Sequence, residues 1–129
     1  MSTEARIYDE SYAVAADLTT HQHKFVKFNG ANTVDVCGAN EVAVGVLQND
    51  PDNDPAQAAE VRHLGISLLV VNGQGVNIAA GDILESVAAG IGVKCTTDKH
   101  NICAIALQAA TADGVKISVL LLGPRQASL

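Results

Sequence analysis

The sequence predicts an all-β (mainly β) protein, a small β-barrel or β-sandwich with an extended N-terminal arm, on three observations. Short alternating or continuously apolar runs recur at about 8–12-residue spacing with Gly or Asn between them, the pattern of sandwiches and barrels. Hydrophobic residues make up 48% of the chain but aromatics only 3%, with no Trp, so the core has to be built from Ala, Val, Ile and Leu in thin layers. The length of 129 residues suits one domain, and a chain of this size buries about two-thirds of its unfolded surface without needing staples.

In chain order, residues 1–20 place Tyr8 and Tyr12 among polar residues with no evident pairing partner and no turn signal. They are expected to form an arm ahead of a single β domain over 21–129, with a first edge strand as the alternative. Lys24–Phe28 and Thr33–Cys37 alternate polar and apolar residues, and Asn29-Gly30-Ala31-Asn32 between them tolerates the positive φ of a hairpin turn. Val42–Leu47 is the next strand, then a polar loop, then Glu60–Leu64. Ile66–Val71 is apolar throughout but for Ser67, as in a strand covered on both faces. Asn72–Gly75 is a turn, Ala79–Leu84 a turn feeding a strand, and Ala88-Ala89-Gly90 a break. Ile91–Cys95, Ile102–Gln108 and Val115–Leu122 complete the strands, and the segment after Gly123-Pro124 reads as a tail. Ala104–Ala110 has helix-forming Ala and Leu, but turn signals bound it too closely for a long helix, so it is assigned to strand. A faint echo between Ala43–Gln48 and Ala104–Gln108 suggests two similar strands in related positions of one barrel.

The formal net charge of −6 gives a field that repels nucleic acid and anionic membranes, so neither is expected as a partner. The start lacks the basic-then-apolar pattern of a signal peptide, and no run approaches the ~18 apolar residues of a membrane helix. Cys37, Cys95 and Cys103 are an odd number, which argues for apolar fillers made in a reducing compartment rather than a disulfide framework. Charged residues at 17% fall below the ~25% of an average domain. That deficit beside the high apolar content predicts a symmetric homo-oligomer, with a trimer expected.

Chemical motifs are weak. His21-Gln22-His23 would put two imidazoles on one face of a strand, the start of a metal site, but the Glu that a cupin pattern needs a few residues on is missing. A small cupin-like metalloenzyme using His21, His23 and a third ligand is the rival reading. His63 and His100 have no ligand-spaced neighbour in sequence, and His100 could activate a thiol only if the fold brought it to Cys95 or Cys103. Asp50-Pro51-Asp52-Asn53-Asp54 opens like a calcium loop, yet Pro55 stands where Gly must turn and Val61 where Glu must chelate. Gly73-Gln74-Gly75 lacks the third Gly of a dinucleotide turn, and Gly65-Ile66-Ser67 lacks the closing Gly of a nucleophile elbow. No catalytic residue, metal or cofactor is expected, and the chain reads as a non-enzyme. Ile7, Tyr8 and Tyr12 remain as contact residues. They are apolar or amphipathic groups in a segment without its own core, which need a neighbouring subunit or another partner.

From Val42 to Leu122 the order of features resembles the head decoration, or capsid cement, proteins of tailed bacteriophages. The features are Val44-Gly45-Val46-Leu47, then Ala59-Glu60-Val61-Arg62 and Gly65-Ile66, then Ala80-Gly81-Asp82-Ile83-Leu84 and Ala88-Ala89-Gly90. Ala104–Ala110 and the terminal strand Ile117–Leu121 follow. The resemblance implies a β-rich, trimeric protein made in the host cytoplasm and carried on the outer capsid surface of the virion. There it would bridge major capsid proteins against the pressure of packaged DNA. A tail or baseplate β module of a phage is the neighbouring alternative.

Overall fold

The computed structural model describes residues 4–52 and 57–129. Among the described residues nine strands form one continuous sheet: β1 (Ala5–Val14), β2 (Phe25–Phe28), β3 (Thr33–Val36), β4 (Gly45–Leu47), β5 (Ala59–Asn72), β6 (Ile83–Ser86), β7 (Gly92–Lys94), β8 (Asn101–Ala106) and β9 (Asp113–Gln126). A single 3₁₀ turn at Ala88–Gly90 is the one helical element among the described residues. The hairpin between β2 and β3 forms on the predicted turn, with Gly30 at φ 94°, Asn32 at φ 51°, and Asn29 N donating to Thr33 O at 2.8 Å.

The strand order β1-β3-β2-β4-β5-β7-β6-β8-β9, with the added pairings β1–β5 and β5–β9, closes the sheet twice. One ring runs β5-β1-β3-β2-β4 and the other β5-β9-β8-β6-β7, so the 14-residue β5 belongs to both. Its first half meets β1 and β4, and its second half meets β9 and β7. The sequence expectation of a barrel is thus met by two small rings on one shared strand.

The two-residue alternation of strands distributes side chains between two cores. Leu18, Val26, Val34, Leu47, Ala59 and Val61 fill the first ring. Phe25, Val46, Leu69, Val71, Ile78, Leu84 and Val119 are among those filling the second. Neighbours Phe25 and Val26 therefore point into different cores, as do Val46 and Leu47, and β2 and β4 form the wall between them. All four are fully buried, and burying side chains of this size is worth about 1.5–3 kcal/mol each.

Gly65 lies where the two expected strands Glu60–Leu64 and Ile66–Val71 join into one. It pairs with Arg6 of β1 on one side and Leu121 of β9 on the other, at φ 116°. A Cβ there would stand 2.3 Å from Ala5 O and 2.8 Å from Ile7 N. Only Gly lets both rings share the strand at that point.

Several local expectations are corrected. The N-terminal segment, expected to lack a pairing partner, pairs antiparallel with β5 from Ala5 to Tyr12 and parallel with β3 at Ala13 and Val14. Its partner lies some fifty residues away, out of reach of any local signal. The tail after Pro124 continues β9, with Arg125 opposite Ile102 and Gln126 opposite Asn101. Ile66–Val71 buries Ser67, Leu69 and Val71 but leaves the other face half-covered. Ala104–Ala110 leaves the strand after Ala106, and Ala110 returns only as a bridge to Ile78. The echo strands β4 and β8 sit in different rings, β4 directly beside β5 and β8 between β6 and β9.

Candidate functional site

Paired irregularities in the β1–β5 ladder create the most distinctive surface of the molecule. Arg6 opposes Gly65 and Tyr8 opposes Leu64, so Ile7 is an extra residue on β1; Tyr8 then opposes Leu64 and Asp9 opposes Arg62, so His63 is an extra residue on β5. Such bulges re-aim side chains. Ile7 is thrust outward and is 75% exposed. The His63 ring is set among three of the chain's four aromatic residues. Tyr8 stacks on it at 5.3 Å and 26° between planes, Tyr12 meets it edge-on at 5.5 Å, and Phe28 lies 6.2 Å away. Tyr12 and Phe28 also contact each other edge-to-face at 5.3 Å. Edge-to-face and offset pairs of this kind contribute about 0.5–1.5 kcal/mol beyond area burial.

Hydrogen bonds fix the cluster. His63 Nδ1 lies 2.8 Å from Val44 O. A carbonyl only accepts, so Nδ1 carries the proton and, in the neutral ring, Nε2 accepts. Tyr12 Oη lies 2.7 Å from Nε2 and donates to it. Burial, reinforced by the charges of Tyr8 and Glu10, pushes the Tyr12 hydroxyl above its usual pKa, which keeps it a donor. At the rim Tyr8 Oη donates to Glu10 Oε2 (3.3 Å), and Ser11 Oγ to Glu60 Oε1 (2.6 Å). Tyr8 and Phe28 remain 47% and 49% exposed, so about half of each held residue stays open to solvent.

Next to His63 in sequence, Arg62 ties β1 down. Its guanidinium contacts both Asp9 carboxylate oxygens (2.9 and 3.3 Å), Glu4 (3.1 Å) and Ile66 O (2.9 Å), and the residue is 9% exposed. The arrangement offers ring faces and carboxylates, the equipment of a binding surface, with no activated nucleophile among its residues. Of the predicted contact residues, Tyr8 and Tyr12 join one cluster and Ile7 lies beside it. Sequence reasoning missed Phe28 and His63, and the only local signal was Phe28 ending an alternating strand.

The other candidates are dispersed. His21 and His23 lie in a turn, His23 at φ 63°, so the strand alternation that would pair them is absent. Burial lowers both pKa values, helped by Lys24 at His21 and by Lys116 at His23, and neither Nδ1 has a partner. Among the described residues no group of three His, Cys, Asp or Glu is arranged to hold a metal ion. His100 reaches Glu85 (Nδ1 to Oε2, 2.7 Å). The Cys95 thiol donates to Thr97 O at 3.4 Å, and burial, with Glu85 and Asp98 adding, pushes its pKa up. A thiol held protonated in this way is a poor nucleophile. Burial raises Cys37 and carries Cys103 to about 12. In the acidic loop, Asp50, Pro51 and Asp52 are placed, and Asp52 N donates to Gln57 Oε1 at 3.0 Å. Asn53, Asp54 and Pro55 lie outside the described residues. Gly73–Gly75 lies in the bend that follows β5, and Gly65–Ser67 lies within β5.

No protein-family profile matches the chain, and no curated protein matches it by sequence. Among solved structures it is similar to the N base of head fiber gp8.5 in bacteriophage phi29, with a TM-score of 0.69 at 13% identity. The likeness covers 89% of this chain and 93% of that one. The fold is therefore shared over nearly the whole length of both.

Proposed function

We propose that this chain is a structural protein of a bacteriophage virion, a non-enzyme that attaches to the outside of the head and decorates it by contacting the major capsid protein. The reading is carried by the near full-length fold likeness to a head fiber base. The feature order that resembles capsid decoration proteins agrees with it, and so does the exposed patch of Ile7, Tyr8 and Phe28, which suits docking. Held aromatic rings bury large area at small entropic cost, and many copies on one shell make modest contacts additive.

Co-sedimentation of the purified protein with expanded and mature capsids tests this reading. Binding by the wild type, with loss on combined Ile7→Ala and Tyr8→Ala substitution in a protein of unchanged circular dichroism, is the expected result. Failure to sediment with either capsid form overturns the proposal. Density for the protein on the tail in electron micrographs of virions reassigns it to a tail module.

A further inference from the structure

We propose that the open side of Tyr8, with the Glu10 carboxylate beside it, receives the guanidinium of an arginine on the surface to which this protein attaches. The source of that arginine rests on the attachment role proposed above, whereas the chemistry of the site does not. Asp9 and Glu10 are neighbours on β1, and the register gives them different surroundings. Asp9 opposes Arg62 and is paired with it, while Glu10 opposes Val61. Arg62 commits its guanidinium to Asp9, Glu4 and Ile66 O. Arg6 is out of reach for a separate reason. It opposes Gly65 while Tyr8 opposes Leu64, and adjacent residues of β5 face opposite sides, so the Ile7 bulge puts Arg6 on the other face of β1 from Tyr8 and Glu10. Among the described residues no cation pairs with Glu10. Tyr8 lies on the same face, with its hydroxyl on Glu10 Oε2. One side of its ring rests on His63, no other ring meets it among the described residues, and the residue is still exposed.

Charge and shape select a planar cation. An aromatic face attracts positive charge held within about 6 Å of its centroid. An ionised carboxylate accepts about four hydrogen bonds, two at each oxygen. Glu10 Oε1 takes Ser11 N at 3.1 Å and Oε2 takes the Tyr8 hydroxyl at 3.3 Å, so each oxygen keeps room for one more donor. Two parallel N–H groups of a guanidinium fill that pair of places. The same flat group can lie on Tyr8, whereas an ammonium is a compact, strongly hydrated point charge without a fork. The formal net charge of −6 adds a long-range attraction for a positive partner. His63, fixed by Val44 O and Tyr12, backs the Tyr8 ring, so the receiving surface loses little freedom on binding.

Titration of the intact protein with N-acetyl-arginine amide at low salt, followed by nuclear magnetic resonance, tests the inference without capsids. The uncharged citrulline counterpart is the control. The expected result is saturable shifts centred on Tyr8 and Glu10, a weaker response to the lysine amide, and none to citrulline. Tyr8→Ala should abolish the shifts. Glu10→Gln keeps an acceptor for Tyr8 and Ser11 but removes the charge, and should weaken binding about threefold. An equal response to citrulline, shifts scattered over the surface, no saturable response, or indifference to both substitutions overturns the inference. Arginine binding by a protein that sediments with no capsid strikes the attachment role and leaves the site standing. Capsid binding without arginine binding strikes this inference alone.

Discussion

Replacing Gly65 with Ala tests how β5 serves two rings and how the aromatic surface is held. Two costs add. At φ 116° a residue with a Cβ occupies a conformation that L side chains rarely adopt, which costs about 1–3 kcal/mol. The new methyl would also stand 2.3 Å from Ala5 O and 2.8 Å from Ile7 N, both backbone atoms that cannot rotate away. Relief requires β1 to shift by roughly 1 Å, giving up one or two ladder hydrogen bonds at about 1 kcal/mol each. The sum is about 2–5 kcal/mol, or a fall in Tm of roughly 10 °C for a domain of this size. Gly75→Ala supplies the control, since Gly75 has φ 85° and nothing within 4 Å, so it bears the conformational cost alone. Urea denaturation of both variants gives the difference, and amide exchange at Tyr8 and Glu10 shows whether β1 is the element that lifts. If Gly65→Ala is no more destabilising than Gly75→Ala, the steric role given to this joint is wrong.

Further tests follow from the ionisable and polar groups. Burial lowers the pKa of His21 and His23 below the ordinary 6.5, so the folded state binds protons less readily than the unfolded one. Stability should be full above about pH 6.5 and decline as pH falls through the lowered values; denaturation midpoints should flatten with pH in a His21→Gln, His23→Gln double variant. Arg62→Ala leaves Asp9 and Glu4 without their shared cation and should cost about 1.5–3 kcal/mol in chemical denaturation, the worth of the lost charge-assisted hydrogen bonds, since the carboxylates left behind keep access to water. Tyr12→Phe removes the donor to His63 Nε2 and should cost only about 1 kcal/mol, since water can reach the half-buried site. With all three thiols buried and their pKa values raised, a disulfide reagent at pH 8 should react with none of them in the native protein and with all three in denaturant.

The sequence alone determined the all-β class, because alternation and turn residues are local properties. Asn29–Asn32 closes its hairpin by its own φ preferences. What tertiary structure decided is what depends on distant partners. Ala5–Tyr12 carries no signal that β5 will receive it, so its strand state follows from pairing across roughly fifty residues of sequence separation. Gly65 reads as a break between two strands, and it is a joint within one because β1 and β9 approach the same backbone from both sides. Phe25 and Val26 show alternation without telling that each of their faces has its own core. The candidate site shares this origin. Tyr8, Tyr12, Phe28 and His63 come from β1, β2 and β5, and a bulge aims the imidazole among them. Alternation is written in neighbouring residues, whereas a bulge and a ring closure exist only once distant strands have paired.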